Sequence, residues 1–105
     1  MLRDESKGDG VPTYILLSSL NPGGLETLRE RPERLREVNQ EIEKMGGHIK
    51  DQYAVLGPFD FVTVLEAPDA ETVAKISIGM GARGTVRIQT LSAIPIDEFI
   101  DGLKH

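Results

Sequence analysis

Eleven glycines and six prolines divide this 105-residue chain into short segments, and where they fall constrains the fold more than any other feature. Gly46-Gly47 closes a helical pattern, Gly57-Pro58 separates two strand-like runs, and Pro68-Asp69 ends the second of them. No segment between these stops holds the ~18 apolar residues that a membrane span requires.

Met1–Gly10 is charged and lacks a hydrophobic period, so it is expected to be a disordered tail, with one domain over residues 11–105. Arg3 and Asp4 interrupt any apolar start, which argues against a signal peptide and points to the cytoplasm. From Pro12 to Leu20, the run Tyr14 to Leu17 is apolar at consecutive positions, the pattern of a central strand. Asn21-Pro22-Gly23-Gly24 ends that strand, and Leu25 to Arg31 is expected to make a short helical turn. Leu35, Val38, Ile42 and Met45 recur at three- and four-residue steps and predict the main helix, from about Pro32 to Met45. His48 to Leu56 and Phe59 to Glu66 read as an antiparallel hairpin about Gly57-Pro58. Asp69 is placed to cap a helix carrying Val73, Ile76 and Met80. Thr85 to Ala93 reads as the last strand and Pro95 to Leu103 as a terminal helix.

The order βαββαβ, followed by a C-terminal helix, is an α+β, ferredoxin-like split βαβ arrangement with a four-stranded antiparallel sheet. Two helices cover one face of such a sheet. Alternation places Phe59, Phe61, Thr63 and Leu65 on one face and Val62 and Val64 on the other, and the first strand is apolar on both sides. An exposed patch of Val, Leu and Ile is an association surface. A two-fold homodimer through the sheet face makes that patch self-complementary.

Composition removes several functions. Without cysteine, thiol nucleophiles, disulfides and thiolate metal sites are excluded. His48 is the one histidine before the C-terminal residue, so no metal site can be assembled with Asp51 or Asp60, and no cofactor is expected. Seventeen acidic residues against twelve basic ones, a formal charge of −5, argue against phosphate-backbone and hence nucleic-acid binding. Arg29, Arg31, Arg34 and Arg36 alternate with Glu26, Glu30, Glu33 and Glu37, which reads as a compensated helix surface rather than a basic patch.

Two motifs lose their usual meaning in context. Gly79, Gly81 and Gly84 spell G-x-G-x-x-G, but a helix precedes them and a strand follows, the reverse of a dinucleotide-binding turn. Phe59 and Phe61 resemble the stacking aromatics of an RNA-recognition motif, yet Asp60 lies between them and the basic residue before the glycine is missing. The remaining candidates for chemistry are His48, Tyr14 and Asp60 for proton transfer, and Tyr53, Phe59 and Arg87 for ligand contact. Their structural alternatives are a strand-end histidine, buried tyrosine rings and an aspartate that fixes the hairpin turn.

Pro12-Thr13-Tyr14, Glu30-Arg31-Pro32-Glu33-Arg34, Met45-Gly46-Gly47, Leu56-Gly57-Pro58-Phe59-Asp60, Glu66-Ala67-Pro68-Asp69 and Gly84-Thr85-Val86-Arg87 together give a family resemblance. Over Pro12 to Leu103 the chain resembles the GYD-domain family, within the dimeric α/β-barrel superfamily. The family's Gly–aromatic–Asp element falls on Gly57, Phe59 and Asp60, with Phe59 where tyrosine is usual. The resemblance implies a dimer whose two sheets close a barrel, and it implies no single reaction. The wider superfamily includes cofactor-independent monooxygenases, haem-degrading enzymes, isomerases and ligand-sensing domains. The absence of Trp and the scarcity of His disfavour haem degradation.

Two functions follow as expectations. The first is a non-catalytic small-ligand-binding or assembly module, with a small apolar pocket between sheet and helices, working as a homodimer or higher oligomer. The alternative is a cofactor-independent enzyme, monooxygenase- or isomerase-like, acting on a small organic substrate through His48, Tyr14 or Asp60.

Overall fold

A computed structural model describes residues 11–104; the expected tail, Met1–Gly10, lies outside them. The elements are β1 (Thr13–Leu20), α1 (Pro22–Glu30), α2 (Arg34–Lys44), β2 (His48–Ala54), β3 (Phe61–Glu66), α3 (Ala70–Gly81), β4 (Val86–Ala93) and α4 (Ile96–Leu103). The sheet order is β2-β3-β1-β4 and every neighbouring pair is antiparallel, which is the expected split βαβ topology. The core lies between the sheet and helices α2 and α3. Leu16 and Leu65 from the central strands meet Ile42, Val73 and Ile76 from the helices, all 2% exposed or less.

This core depends on a close approach at the turn after α2. Gly46 takes φ +105°, which an L side chain rarely adopts, and so ends the helix. A Cβ on Gly47 would lie 3.0 Å from both Ile76 Cδ1 and Leu65 Cδ1. The bare backbone lets α2 turn into β2 directly against the core.

Two features differ from the expectation, and a third is an irregularity in β2 that breaks strict alternation. First, Asn21-Pro22-Gly23-Gly24 opens α1 instead of only ending β1. The Asn21 side chain accepts the Gly24 N–H at 2.8 Å and donates to the Gly84 carbonyl at 2.6 Å, so it caps the helix and ties it to the segment before β4. Second, β2 and β3 are joined by a longer connection, 55–60, so Phe59 and Asp60 lie in the loop rather than in a strand. Third, β2 is irregular between Ile49 and Asp51, and Gln52 rather than Asp51 joins Ile49 on the helix-facing side. Phe61 also faces the helices, opposite Ser18 of β1, so it cannot serve as a stacking platform on the open face.

Asp69 caps α3 as expected. The Thr72 hydroxyl donates to its carboxylate at 2.7 Å and the Thr72 backbone N–H at 2.8 Å. Those two bonds, helped by Lys75, hold its pKa below the ordinary 3.8. The folded state favours the ionised form, so the cap's stabilising effect is full above 3.8 and is lost as pH falls through the lowered value. Replacing Asp69 with Asn keeps a capping oxygen but removes the titration. The acid side of a melting-temperature profile followed by circular dichroism is expected to be shallower in Asp69→Asn than in the wild type.

Candidate functional site

The helical layer does not seal the whole inner face of the sheet. Toward the Ser18 end of β1, a cleft of about 320 Å³ opens between the sheet, α1, α2 and the end of α3. Its wall is mainly apolar, with Leu16, Leu35, Val38, Phe61 and Met80 among the lining residues. Gly24 of α1 lets the roof approach closely, since a Cβ there would sit 2.8 Å from the Thr85 carbonyl oxygen.

Polar groups enter this apolar space at fixed points. Asn39 Nδ2 donates to Gln52 Oε1 at 2.7 Å, and Gln52 Nε2 returns a bond to Asn39 Oδ1 at 3.2 Å. Gln52 Nε2 also donates to Thr63 Oγ1 at 3.0 Å. Thr63 is 3% exposed, and its own hydroxyl proton has no acceptor among the described residues. Ser18 is 8% exposed, and its hydroxyl has no hydrogen-bond partner among them. Buried polar groups are normally paired, so a hydroxyl left open on a cavity wall stands out. At the mouth, Arg34 lies 3.1 Å from Glu37 and 3.9 Å from Glu41, and Arg83 pairs with Glu41 from the opposite side.

The residues singled out from the sequence are not brought together. Tyr14 is 7% exposed and packs in the core. His48 is exposed at the start of β2, 3.6 Å from Glu43. Asp60 lies at the end of the sheet away from His48, where its Oδ2 accepts the Leu20 N–H at 2.8 Å while its own N–H donates to the Ser18 carbonyl at 2.8 Å. Val55 N–H reaches the Asp60 carbonyl at 2.9 Å, so this aspartate ties the β2–β3 loop to the end of β1. Gly57 takes φ +122° with open space around it, as the turn requires. Phe59 and Arg87 line a separate, more open depression of about 620 Å³ beside Ser19, Asn21 and Pro58. Tyr53 pairs with Val62 on the open sheet face and is 58% exposed. None of the six lines the cleft.

The cleft residues carried only a faint signal in the sequence. Ser18 and Thr63 are single hydroxyls within the otherwise apolar sets Tyr14, Leu16, Leu20 and Phe61, Leu65. Arg34 belonged to the expected compensated surface, and its pairs with Glu37 and Glu41 keep that character even at the cleft mouth.

A split βαβ sheet, hollowed on one face and bare on the other, places the chain among the ferredoxin-like α+β domains. The model of the GYD domain matches residues 14–103, and the chain belongs to that family. A Thermus thermophilus protein named "Glutamine synthetase and cystathionine beta-lyase binding protein" is 52% identical over 95 residues, spanning 90% of this chain and 100% of the relative. The crystal structure of the Mycobacterium tuberculosis leucine response regulatory protein (LrpA) matches with a TM-score of 0.60 at 14% identity. That match covers 90% of this chain and 59% of LrpA, and it speaks to the fold alone. No helix among the described residues is long and apolar enough to cross a membrane.

If Asp60 serves the loop rather than a reaction, its removal must show in stability. Asp60→Ala is expected to cost about 1–3 kcal/mol in urea unfolding, because the Leu20 N–H loses its acceptor. Asp60→Asn, which keeps an acceptor oxygen, is expected to recover most of that loss.

Proposed function

We propose that this chain is a non-catalytic binding protein that engages an enzyme, and that it acts as a two-fold dimer joined through the open sheet face. The observation that carries the first part is the relative 52% identical over its whole length, whose name is that of a binding protein for two enzymes. Glutamine synthetase and cystathionine β-lyase are therefore the first partners to test.

The second part rests on surfaces that the described helices leave uncovered. Ile15 and Leu17 of β1 pair with Val64 and Val62 of β3 on the outer face, and Leu91 of β4 lies beside Ile15. Leu91 is 46% exposed, and Tyr53 flanks the same patch. Around these apolar residues run Lys50, paired with Glu66 at 3.5 Å, and Arg87, which has no ion-pair partner among the described residues. An apolar centre with a charged rim of both signs suits self-association about a two-fold axis. Helix α4 adds Ile96, Phe99, Ile100 and Leu103, exposed by 42–72%. An amphipathic helix with its apolar side in water is the kind of surface that association buries.

Light scattering at micromolar concentration is expected to give twice the 11.5 kDa chain mass. Leu17→Asp, placing a charge at the centre of the patch, is expected to shift the protein toward monomer while far-ultraviolet circular dichroism stays unchanged. A wild-type monomer at that concentration would refute the dimer. For the enzyme partner, the purified chain is expected to co-elute with glutamine synthetase or cystathionine β-lyase of its own organism on size exclusion. Failure to co-elute with both at tens of micromolar overturns that part.

A further inference from the structure

The cleft under α1 and α2 is not used by the proposed dimer, because it opens on the opposite face of the sheet. Its chemistry defines an occupant. A volume of about 320 Å³ lies at the small end of the range for small-molecule sites. The apolar walls at Leu16, Val38, Phe61 and Met80 suit a hydrocarbon body. Ser18 is 8% exposed and its hydroxyl is unpaired, so a polar atom placed there would gain a hydrogen bond without displacing a protein partner. The Thr63 proton, opposite Leu16 on β3, is likewise open to the cleft, because Thr63 Oγ1 accepts from Gln52. Only two charged side chains line the cleft among the described residues, Arg34 and Arg83, and both are cationic. Glu41 touches both guanidinium groups and Glu37 lies 3.1 Å from Arg34, so a ligand anion at the mouth would share the arginines with both carboxylates.

We propose that the cleft binds a small aliphatic carboxylate whose far end carries a hydrogen-bond acceptor. The carboxylate lies at Arg34 and Arg83, the chain lies among the apolar side chains, and the acceptor meets the Ser18 hydroxyl. Each part answers a different observation: the two arginines that line the mouth, the apolar wall and the open Ser18 hydroxyl.

Three probes of similar length separate these parts: 5-oxohexanoate, hexanoate and hexylamine. In a titration followed by the backbone resonances of ¹⁵N-labelled protein, 5-oxohexanoate is expected to give saturable shifts at Leu16, Ser18, Val38 and Thr63. Hexanoate is expected to bind about fivefold more weakly, the ratio for one lost hydrogen bond. Hexylamine is expected to bind more weakly than hexanoate, since the charged groups lining the cleft itself are the Arg34 and Arg83 guanidinium groups, with Glu37 and Glu41 behind them.

Ser18→Ala removes a hydroxyl that nothing else in the fold holds, so its melting temperature is expected to equal or exceed that of the wild type. In this variant 5-oxohexanoate and hexanoate are expected to bind equally. Arg83→Gln, at the exposed mouth, is expected to weaken both acids together. The proposal is overturned if 5-oxohexanoate produces no saturable shifts at millimolar concentration, or if the shifts map to the open sheet face. Equal binding of the amine, or a Ser18→Ala variant that keeps the preference for 5-oxohexanoate, overturns it as well. The dimer measurement is independent of every one of these results.

Discussion

The contact of Gly47 with Leu65 and Ile76 sets how closely the helical layer sits on the sheet, and it does so at one end only. Beside that glycine, α2 ends and α3 begins, and a Cβ on Gly46 would lie 3.3 Å from the Thr72 methyl. Leu65, Val73 and Ile76 are there sealed from solvent. At the far end α2 is entered from α1, α3 has reached its last turn at Met80, and side chains alone do not fill the space between them. A layer pinned at one end and roofed by a short helix at the other leaves a hollow where Ser18 and Thr63 face inward. The cleft is thus a product of where the tight contact falls.

The same sheet accounts for the uncovered outer side. With helices packed on a single face, the alternate residues of the two central strands stay short of full burial, and in β1 and β3 those are Ile15, Leu17, Val62 and Val64, all half-buried. A chain of this size has few ways to hide such residues by itself, and its last helix does not hide them. Instead α4 brings four further apolar side chains into solvent. Contiguous apolar surface drives association in soluble proteins, and this is the ground on which the dimer is proposed.

Much of the fold was legible because its signals are local. Gly46-Gly47, Gly57-Pro58 and Pro68-Asp69 mark breaks that backbone geometry enforces, and Leu35, Val38 and Ile42 give a helical period. The opening of α1 was less legible, because Asn21-Pro22-Gly23-Gly24 is equally good as a turn. What decides it is the bond from Asn21 to the Gly84 carbonyl, 63 residues away. The cleft was legible as an apolar pocket in outline and not in its polar detail. Gln52 faces inward only because β2 is irregular near Lys50, and strict alternation would have turned it outward. Its bonds to Asn39 and Thr63 join α2, β2 and β3, and no spacing within the sequence encodes them.

Strand parity keeps the two surfaces separable. In β1 the odd-numbered residues Ile15, Leu17 and Ser19 face outward, while Tyr14, Leu16 and Ser18 face the helices. A charge at position 17 therefore disturbs the outer patch without entering the cleft, and loss of a hydroxyl at position 18 alters the cleft without touching the patch. Both surfaces are nevertheless built on one pair of strands, and the Leu20 N–H bond to Asp60 and the Ser18 carbonyl bond to the Asp60 N–H fix the end of that pair nearest the cleft. Asp60 thus anchors the end of β1 that serves both faces at once. That is a structural reason for an aspartate at this position that does not involve the hydroxyl a tyrosine would bring in place of Phe59.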